Sequence, residues 1–106
     1  MGAISSSLSG TVTVLRPTIL TLYNLSAPVA GTEYSQVLAN GTKQFTIVNR
    51  GRSKIQWTTV SGESGTNYAS IKPGATYSSP DVNLTSVTIY LQTNVNTQTI
   101  EIMEWT

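Results

Sequence analysis

The acidic residues near the C-terminus are the first candidates for chemistry. Glu101 and Glu104 lie three positions apart in "TIEIMEW", and a pair of carboxylates is the usual apparatus of glycoside hydrolysis. In a strand, however, residues three apart point to opposite faces of the sheet. The remaining carboxylates, Glu33, Glu63 and Asp81, are scattered singly along the chain. The acidic residues therefore predict no catalytic pair.

The possible nucleophiles are equally isolated. The chain contains no histidine and no cysteine, which excludes the usual general base near neutral pH, thiolate nucleophiles and Cys/His zinc sites. "SGESG" approaches the Gly-x-Ser-x-Gly nucleophile elbow, but Gly65 follows Ser64 one position too early, so we interpret the stretch as a loop. No Ser-x-x-Lys, calcium-loop or phosphate-loop pattern is present. We expect a protein that is not an enzyme and needs no metal or cofactor.

"NRGRSK", residues 49–54, gathers Arg50, Arg52 and Lys54 into one short stretch. It is typical of a nucleic-acid contact, of a docking patch for an acidic protein surface, or of the solvated tip of a hairpin. The net charge is only +1, so DNA, whose footprint needs several phosphate contacts, is a poor partner. An acidic protein patch needs one or two bidentate arginine contacts. We predict that Arg50 and Arg52 lie at a protein interface, with Lys54 at its rim.

The composition favours a protein that is packed against neighbours. Charged residues make up 10% of the chain, against about a quarter in ordinary globular domains, and Ser and Thr contribute 13 and 17 residues. Secreted β-domains look similar. No apolar run approaches the ~20 residues that span a bilayer, so we expect no membrane partner. Low charge and several edge strands predict a homo-oligomer, with a trimer favoured over a dimer.

Apolar residues recur with a period of two along most of the chain, which is typical of strands. The strand-like segments are "TVTVL" (11–15), "TILTLYN", "EYSQVL", "QFTIVN", "KIQWTTV", "NYASI", "ATYSS", "SVTIYLQ" and "TQTIEIMEWT". About eight short strands separated by Gly and Pro turns predict an all-β antiparallel sandwich or barrel, jelly-roll-like, without substantial helix. Asn40-Gly41 predicts a type I′ hairpin turn. Gly51 predicts the tip of a second hairpin.

The expected domain organisation is an arm followed by one domain. Residues 1–10, "MGAISSSLSG", are rich in Ser and Gly and predict a flexible N-terminal arm. Residues 11–106 predict a single β-sandwich domain. Alternation along the strands gives its expected core: Phe45, Ile47, Ile55, Trp57, Val87, Ile89, Leu91, Ile100 and Ile102.

Three segments resemble a known group of proteins. They are "EYSQVLANGTKQFTIVNRGRSKIQW", "SGESGTNYASIKPGATYSS" and "VTIYLQTNVNTQTIEIMEWT". In their order and spacing, residues 22–106 resemble small all-β proteins encoded by tailed bacteriophages and prophages. The resemblance implies a structural part of the virion, assembled in the host cytoplasm. Asn49 departs from the group's pattern, which tends to be more basic before the turn.

The function expected from these points is non-enzymatic. The first expectation is a capsid decoration (cement) protein that binds and stabilises the shell of major capsid protein. The alternatives are a tail or head–tail component and, from a different class, a carbohydrate-binding β-module. A row of exposed aromatic side chains would favour the carbohydrate-binding module, and the number of copies per particle would separate decoration from tail.

Overall fold

The computed structural model describes residues 19–106, so the predicted arm (1–10) and the predicted strand 11–15 lie outside the described residues. The described strands are β1 (Leu20–Ala27), β2 (Tyr34–Val37), β3 (Gln44–Asn49), β4 (Ile55–Thr58), β5 (Ala69–Ile71), β6 (Thr76–Ser78), β7 (Thr88–Thr93) and β8 (Gln98–Trp105). Every pairing between them is antiparallel, which confirms the predicted all-β class. No helix in this part of the chain is long and apolar enough to cross a membrane.

The strands form two four-stranded sheets. The first sheet has the order β1-β8-β3-β6, and the second has the order β2-β7-β4-β5. Successive strands alternate between the sheets, except that β4 and β5 pair as a hairpin within the second sheet. This eight-stranded, two-sheet arrangement is a jelly roll. Of the two predicted forms, the sandwich is therefore observed, not a closed barrel.

Two predicted hairpins are wrong, because their strands belong to different sheets. Asn40-Gly41 joins β2 to β3, and Gly51 lies between β3 and β4. A type I′ turn needs positive φ at both central positions; Gly41 has φ 83°, but Asn40 does not have positive φ. The Asn40 side chain instead accepts hydrogen bonds from the backbone N–H and hydroxyl of Ser86. Asn40 thus joins the β2–β3 connection to the β6–β7 connection.

The strand directions gather the connections into two sets, one at each end of the sandwich. The connections after β1, β3, β5 and β7 meet at one end. Hydrogen bonds join them: Thr97 N–H donates to Pro28 O at 3.0 Å, and Gly74 N–H donates to Asn49 O at 2.8 Å. The connections after β2, β4 and β6 lie at the other end. Residues far apart in the sequence therefore share one surface.

The core lies between the sheets and mostly follows the predicted alternation. All the predicted core residues are buried except Trp57 and Val87, which are half-buried and pack against the core. The buried apolar residues that the alternation did not predict are Ala27, Leu38 and Ile71. They lie at the end of β1, directly after β2 and in the three-residue β5, where a period of two cannot be recognised from a few residues.

An aromatic cluster joins the two sheets at the half-buried margin of the core. The ring of Trp57 on β4 lies 4.8 Å from that of Tyr77 on β6 and meets the Phe45 ring edge-on at 6.1 Å. Such offset and edge-on contacts stabilise aromatic pairs beyond the area they bury. Trp57 therefore packs between the sheets, as its alternation with Ile55 predicts, although it is not fully enclosed.

Candidate functional site

Most of the basic side chains meet at one end of the sandwich. We call this the basic end and define it by Arg50, Arg52, Lys54 and Lys72. Arg50, Arg52 and Lys54 lie in or beside the β3–β4 connection, and Lys72 follows β5. Lys43, close to them in sequence, precedes β3 and lies at the opposite end. The three basic residues of "NRGRSK" therefore lie together, and Lys72 joins them from the β5–β6 connection.

Arg50 is partly neutralised by a carboxylate of its own chain. Its Nε donates to Glu101 Oε1, while 71% of the Arg50 side chain stays exposed. An exposed ion pair of this kind contributes about 0–1 kcal/mol to stability. Within the described residues, neither terminal nitrogen of the Arg50 guanidinium makes a hydrogen bond. Arg50 can therefore bind a second acceptor without breaking the fold.

A buried asparagine organises the basic end. Asn49 is fully buried, and its Nδ2 donates to the backbone oxygens of Ser53 and Ile71 at 2.9 and 2.8 Å. Its Oδ1 accepts from the Gly51 N–H at 3.0 Å and from Gln98 Nε2 at 3.2 Å. One amide thus fixes the β3–β4 connection against β5 and β8.

The two arginines border a pocket of about 390 Å³, the arginine pocket, between the β3–β4 and β7–β8 connections. It is lined by Arg50 and Arg52 from the β3–β4 connection, by Thr97 from the β7–β8 connection and by Gln98 at the start of β8. A Cβ on residue 51 would lie 2.2 Å from Gln98 Cδ, so any residue other than glycine would displace the buried Gln98 side chain. The backbone of Gly51 therefore packs directly against the buried side-chain amide of Gln98, and both residues line the arginine pocket.

The outer face of the first sheet is almost free of charge. Alternation along the strands assigns these residues to it: Leu20, Leu22, Asn24, Ser26, Gln44, Thr46, Val48, Thr76, Ser78, Thr99, Glu101, Met103 and Trp105. Glu101 alone among them is ionisable, and it is paired with Arg50. A face this poor in charge is unusual for a surface in contact with bulk water.

One corner of that face is apolar. Leu20 lies opposite Trp105, and Leu22 lies opposite Met103, in the β1–β8 ladder. Leu20 and Leu22 are 48% and 54% exposed, whereas Trp105 and Met103 are half-buried. We call these four residues the apolar patch. Contiguous exposed apolar side chains of this kind mark interaction sites in soluble proteins.

The outer face of the second sheet is covered in part by its own hairpin loop. Residues 59–68 connect β4 to β5, and Ser64 in this loop is buried. Its hydroxyl donates to Glu33 Oε1 at 2.6 Å, and Gln92 Oε1 lies 3.1 Å away. Glu33 also accepts from the N–H groups of Ser64 and Gly62. Ser64 thus lies in a loop, as expected, and anchors that loop to the sheet.

The hydrogen bond from the Ser64 hydroxyl is the largest influence on Glu33 and lowers the pKa of its carboxyl, while burial opposes it and the N–H groups of Gly62 and Ser64 lower it further. A lowered folded-state pKa stabilises the fold above the unfolded-state pKa of about 4.3. That contribution is lost as the pH falls through the folded-state value.

We therefore expect Glu33→Gln to destabilise the protein at pH 7 and to flatten its stability profile between about pH 5 and pH 3. Urea unfolding across that range measures both effects. Glu63→Gln in the 59–68 loop is the matched control, since among the described residues the Glu63 carboxylate accepts one hydrogen bond, from Asn67 Nδ2 at 3.4 Å. An equal response of the two variants would show that the Glu33 anchor adds nothing to stability.

Glu101 and Glu104 lie on opposite faces of β8, as predicted. Glu104 shares the inward face with Ile100 and Ile102 and is buried, where Oε1 accepts from the Tyr23 hydroxyl and the Ala39 N–H, each at 2.9 Å. Burial, the hydrogen bond to Glu104 and the charge of Glu104 raise the pKa of Tyr23. Glu104 therefore joins β1, β8 and the β2–β3 connection, and the two carboxylates do not converge.

The aromatic side chains do not form an exposed row. Every Tyr and Trp is half-buried, and Phe45 is buried. Lys54 Nζ lies 5.6 Å from the centroid of the Tyr68 ring. The feature that would favour a carbohydrate-binding module is therefore not found on this surface.

The burial of Asn49 and Glu104 was missed from the sequence, although a signal existed. Asn49 alternates with Phe45 and Ile47, and Glu104 alternates with Ile102, so both occupy inward positions of their strands. A polar residue at an inward position predicts a buried hydrogen-bonded group. Gln98 carries the same signal on β8, where it alternates with Ile100. That Gln98 and Thr97 line one pocket with the arginines had no such signal, because it depends on which connections meet.

Comparisons with known proteins give no match: a scan against family models, a search of curated proteins and a search of solved structures each found none. The resemblance to phage proteins therefore remains an expectation.

Proposed function

We propose that the protein is a non-enzymatic structural component of a tailed-phage virion, and specifically a capsid decoration protein. In this role it binds the shell of major capsid protein and stabilises it by occupying sites on the assembled form. Binding that favours one state stabilises that state in proportion to occupancy. No chemistry is required of the side chains.

The observation that carries the proposal is the outer face of the first sheet. Among residues 19–106, the only ionisable side chain on this face is that of Glu101, which is paired with Arg50, and the apolar patch occupies one corner. A face of this composition loses little by leaving water and gains by burying apolar area, at about 25 cal/mol per Å². The basic end supplies the second, polar part of the contact through Arg50 and Arg52, with Lys54 at the rim.

The jelly roll adds background support only. This fold occurs in viral capsid proteins and also in lectins and cupins, and a fold by itself does not fix a function. The phage-like segments of the sequence direct the choice towards the virion. Self-association, with a trimer favoured, is part of the proposal, because a face nearly free of charge and sheet edges without a partner strand among the described residues suit a closed symmetric oligomer.

Co-sedimentation with purified shells that lack the protein tests the proposal. We expect saturable binding and a higher melting temperature of the shell at saturation. Binding that does not saturate, or that leaves the melting temperature of the shell unchanged, would argue against a decoration role.

A further inference from the structure

The arginine pocket contains a buried acceptor without a donor. Gln98 is 5% exposed, and its Oε1 has no hydrogen-bond partner within residues 19–106. The amide orientation is fixed, because Nε2 donates to Asn49 Oδ1, whose own orientation is set by the Gly51 N–H. A buried polar atom without a partner is rare in folded proteins and needs an explanation.

The residue beside Gln98 is held in an unfavourable backbone conformation. Thr97 has φ 57°, and a β-branched residue is seldom found in this left-handed region. Strained residues persist where surrounding contacts hold them, and they concentrate at binding sites. Here the Thr97 N–H is held by Pro28 O at 3.0 Å. The strain and the unpaired acceptor therefore coincide in one pocket.

The pocket also presents cationic donors. Arg50 keeps the terminal nitrogens of its guanidinium available, because Glu101 takes only Nε, and Arg52 is exposed beside it. Planar guanidinium groups bind carboxylates through two parallel hydrogen bonds. A ligand that fits this pocket thus carries a carboxylate for the arginines and an N–H or O–H donor for Gln98.

We propose that the arginine pocket binds an acidic peptide segment of the neighbouring protein, with a Glu or Asp carboxylate on Arg50 and Arg52 and a backbone N–H on Gln98 Oε1. This proposal rests on the proposed function and specifies the chemistry of the partner. A peptide supplies both groups a few atoms apart. Val95 contributes an apolar wall for side-chain methylenes.

A peptide fits better than an acidic sugar, because sugar rings are usually held by stacking on aromatic side chains. None of the residues that line the pocket is aromatic. Gln98 Oε1 is enclosed in the free protein, so the connections around it must move for a ligand to reach it. Movement of Thr97 out of its left-handed conformation in that step would release strain. The free and bound states would then differ mainly in the β7–β8 connection.

Titration of the ¹⁵N-labelled protein with acetyl-Ala-Glu-Ala-amide tests the proposal by NMR. We expect saturable shifts of the Gln98 side-chain amide and of the Thr97 and Thr99 backbone amides. Acetyl-Ala-Gln-Ala-amide should bind at least about tenfold more weakly, since it lacks the charge. Absence of saturable shifts at these three positions would overturn the proposal.

Two charge-matched double variants separate the pocket from the general field of the basic end. Arg50→Gln with Arg52→Gln should weaken peptide binding at least about tenfold, whereas Lys54→Gln with Lys72→Gln should change it less than about twofold. Equal losses in the two variants would overturn the pocket. Tighter binding of glucuronate than of the Glu peptide would overturn the peptide assignment in favour of an acidic sugar.

Failure of the pocket proposal can be distinguished from failure of the proposed function. If the peptide does not bind but the protein still attaches to shells through its first sheet, the proposed function stands and the pocket proposal fails. If the peptide binds but the protein does not attach to shells, the pocket proposal is limited to a partner other than the capsid, and the decoration role fails.

Discussion

Asn49→Asp is expected to cost about 3–5 kcal/mol of folding free energy, the largest loss that we predict for a near-isosteric change. Nδ2 of Asn49 donates to two backbone oxygens, of Ser53 and Ile71. The introduced carboxylate oxygen would face both acceptors with no proton to give, and would bring an unpaired charge into a fully buried site. Urea unfolding at pH 7 measures the loss.

The deficit of this variant should depend on pH. Burial and the facing carbonyl oxygens raise the folded-state pKa of the introduced carboxyl above its unfolded value of about 3.9. The deficit is therefore smallest below that unfolded value, where the protonated carboxyl can donate one hydrogen bond, and grows as the pH rises through the folded-state pKa.

Asn94→Asp is the matched control for Asn49→Asp, since Asn94 is exposed in the β7–β8 connection. It should change stability by less than about 0.5 kcal/mol. If both variants lost the same small amount, Asn49 would not organise the basic end in the way that its hydrogen bonds indicate.

Leu22→Glu should weaken attachment to shells by at least about 100-fold while leaving the isolated fold intact. Leu22 is 54% exposed in the apolar patch, opposite Met103. In the proposed contact it becomes buried, so the change removes the burial of a leucine and places an unpaired carboxylate in an interface. Co-sedimentation with undecorated shells gives the affinity, and thermal unfolding of the free protein gives the stability.

Val37→Glu provides the matched control on the opposite sheet. Val37 is 60% exposed on β2. Among the described strands, β2 is at the edge of the second sheet and β1 is at the edge of the first. The affinity of the Val37→Glu variant for shells should stay close to that of the unchanged protein. Equal losses in both variants would remove the special role of the first sheet. A large loss of intrinsic stability in Leu22→Glu would place the apolar patch inside the fold instead.

The strands could be predicted from the sequence because their signal is local. "QFTIVN" coincides with β3, and the other predicted segments contain the observed strands except that "TILTLYN" stops three residues before the end of β1 and "SVTIYLQ" stops one residue before the end of β7. The assignment of strands to sheets could not be predicted, since it depends on long-range pairing. Asn40-Gly41 has favourable hairpin chemistry, yet β2 and β3 pair with β7 and β8 instead.

The candidate site divides in the same way. Arg50, Arg52 and Lys54 could be singled out because they are adjacent in sequence, whereas Lys72 joins them only through the strand directions. The apolar patch was not predicted, since the β1–β8 ladder that places Leu22 beside Met103 joins opposite ends of the described chain. Alternation shows which side chains share a face of one strand, but not which strands are neighbours.

Counting the copies of this protein in purified phage particles tests the central claim most directly. Gel densitometry against the major capsid protein gives the ratio. A decoration protein occupies repeated sites on the shell, so we predict on the order of hundreds of copies per particle, in a fixed ratio to the capsid protein. About a dozen copies would indicate a tail or head–tail component, and absence from particles would contradict a role in the virion.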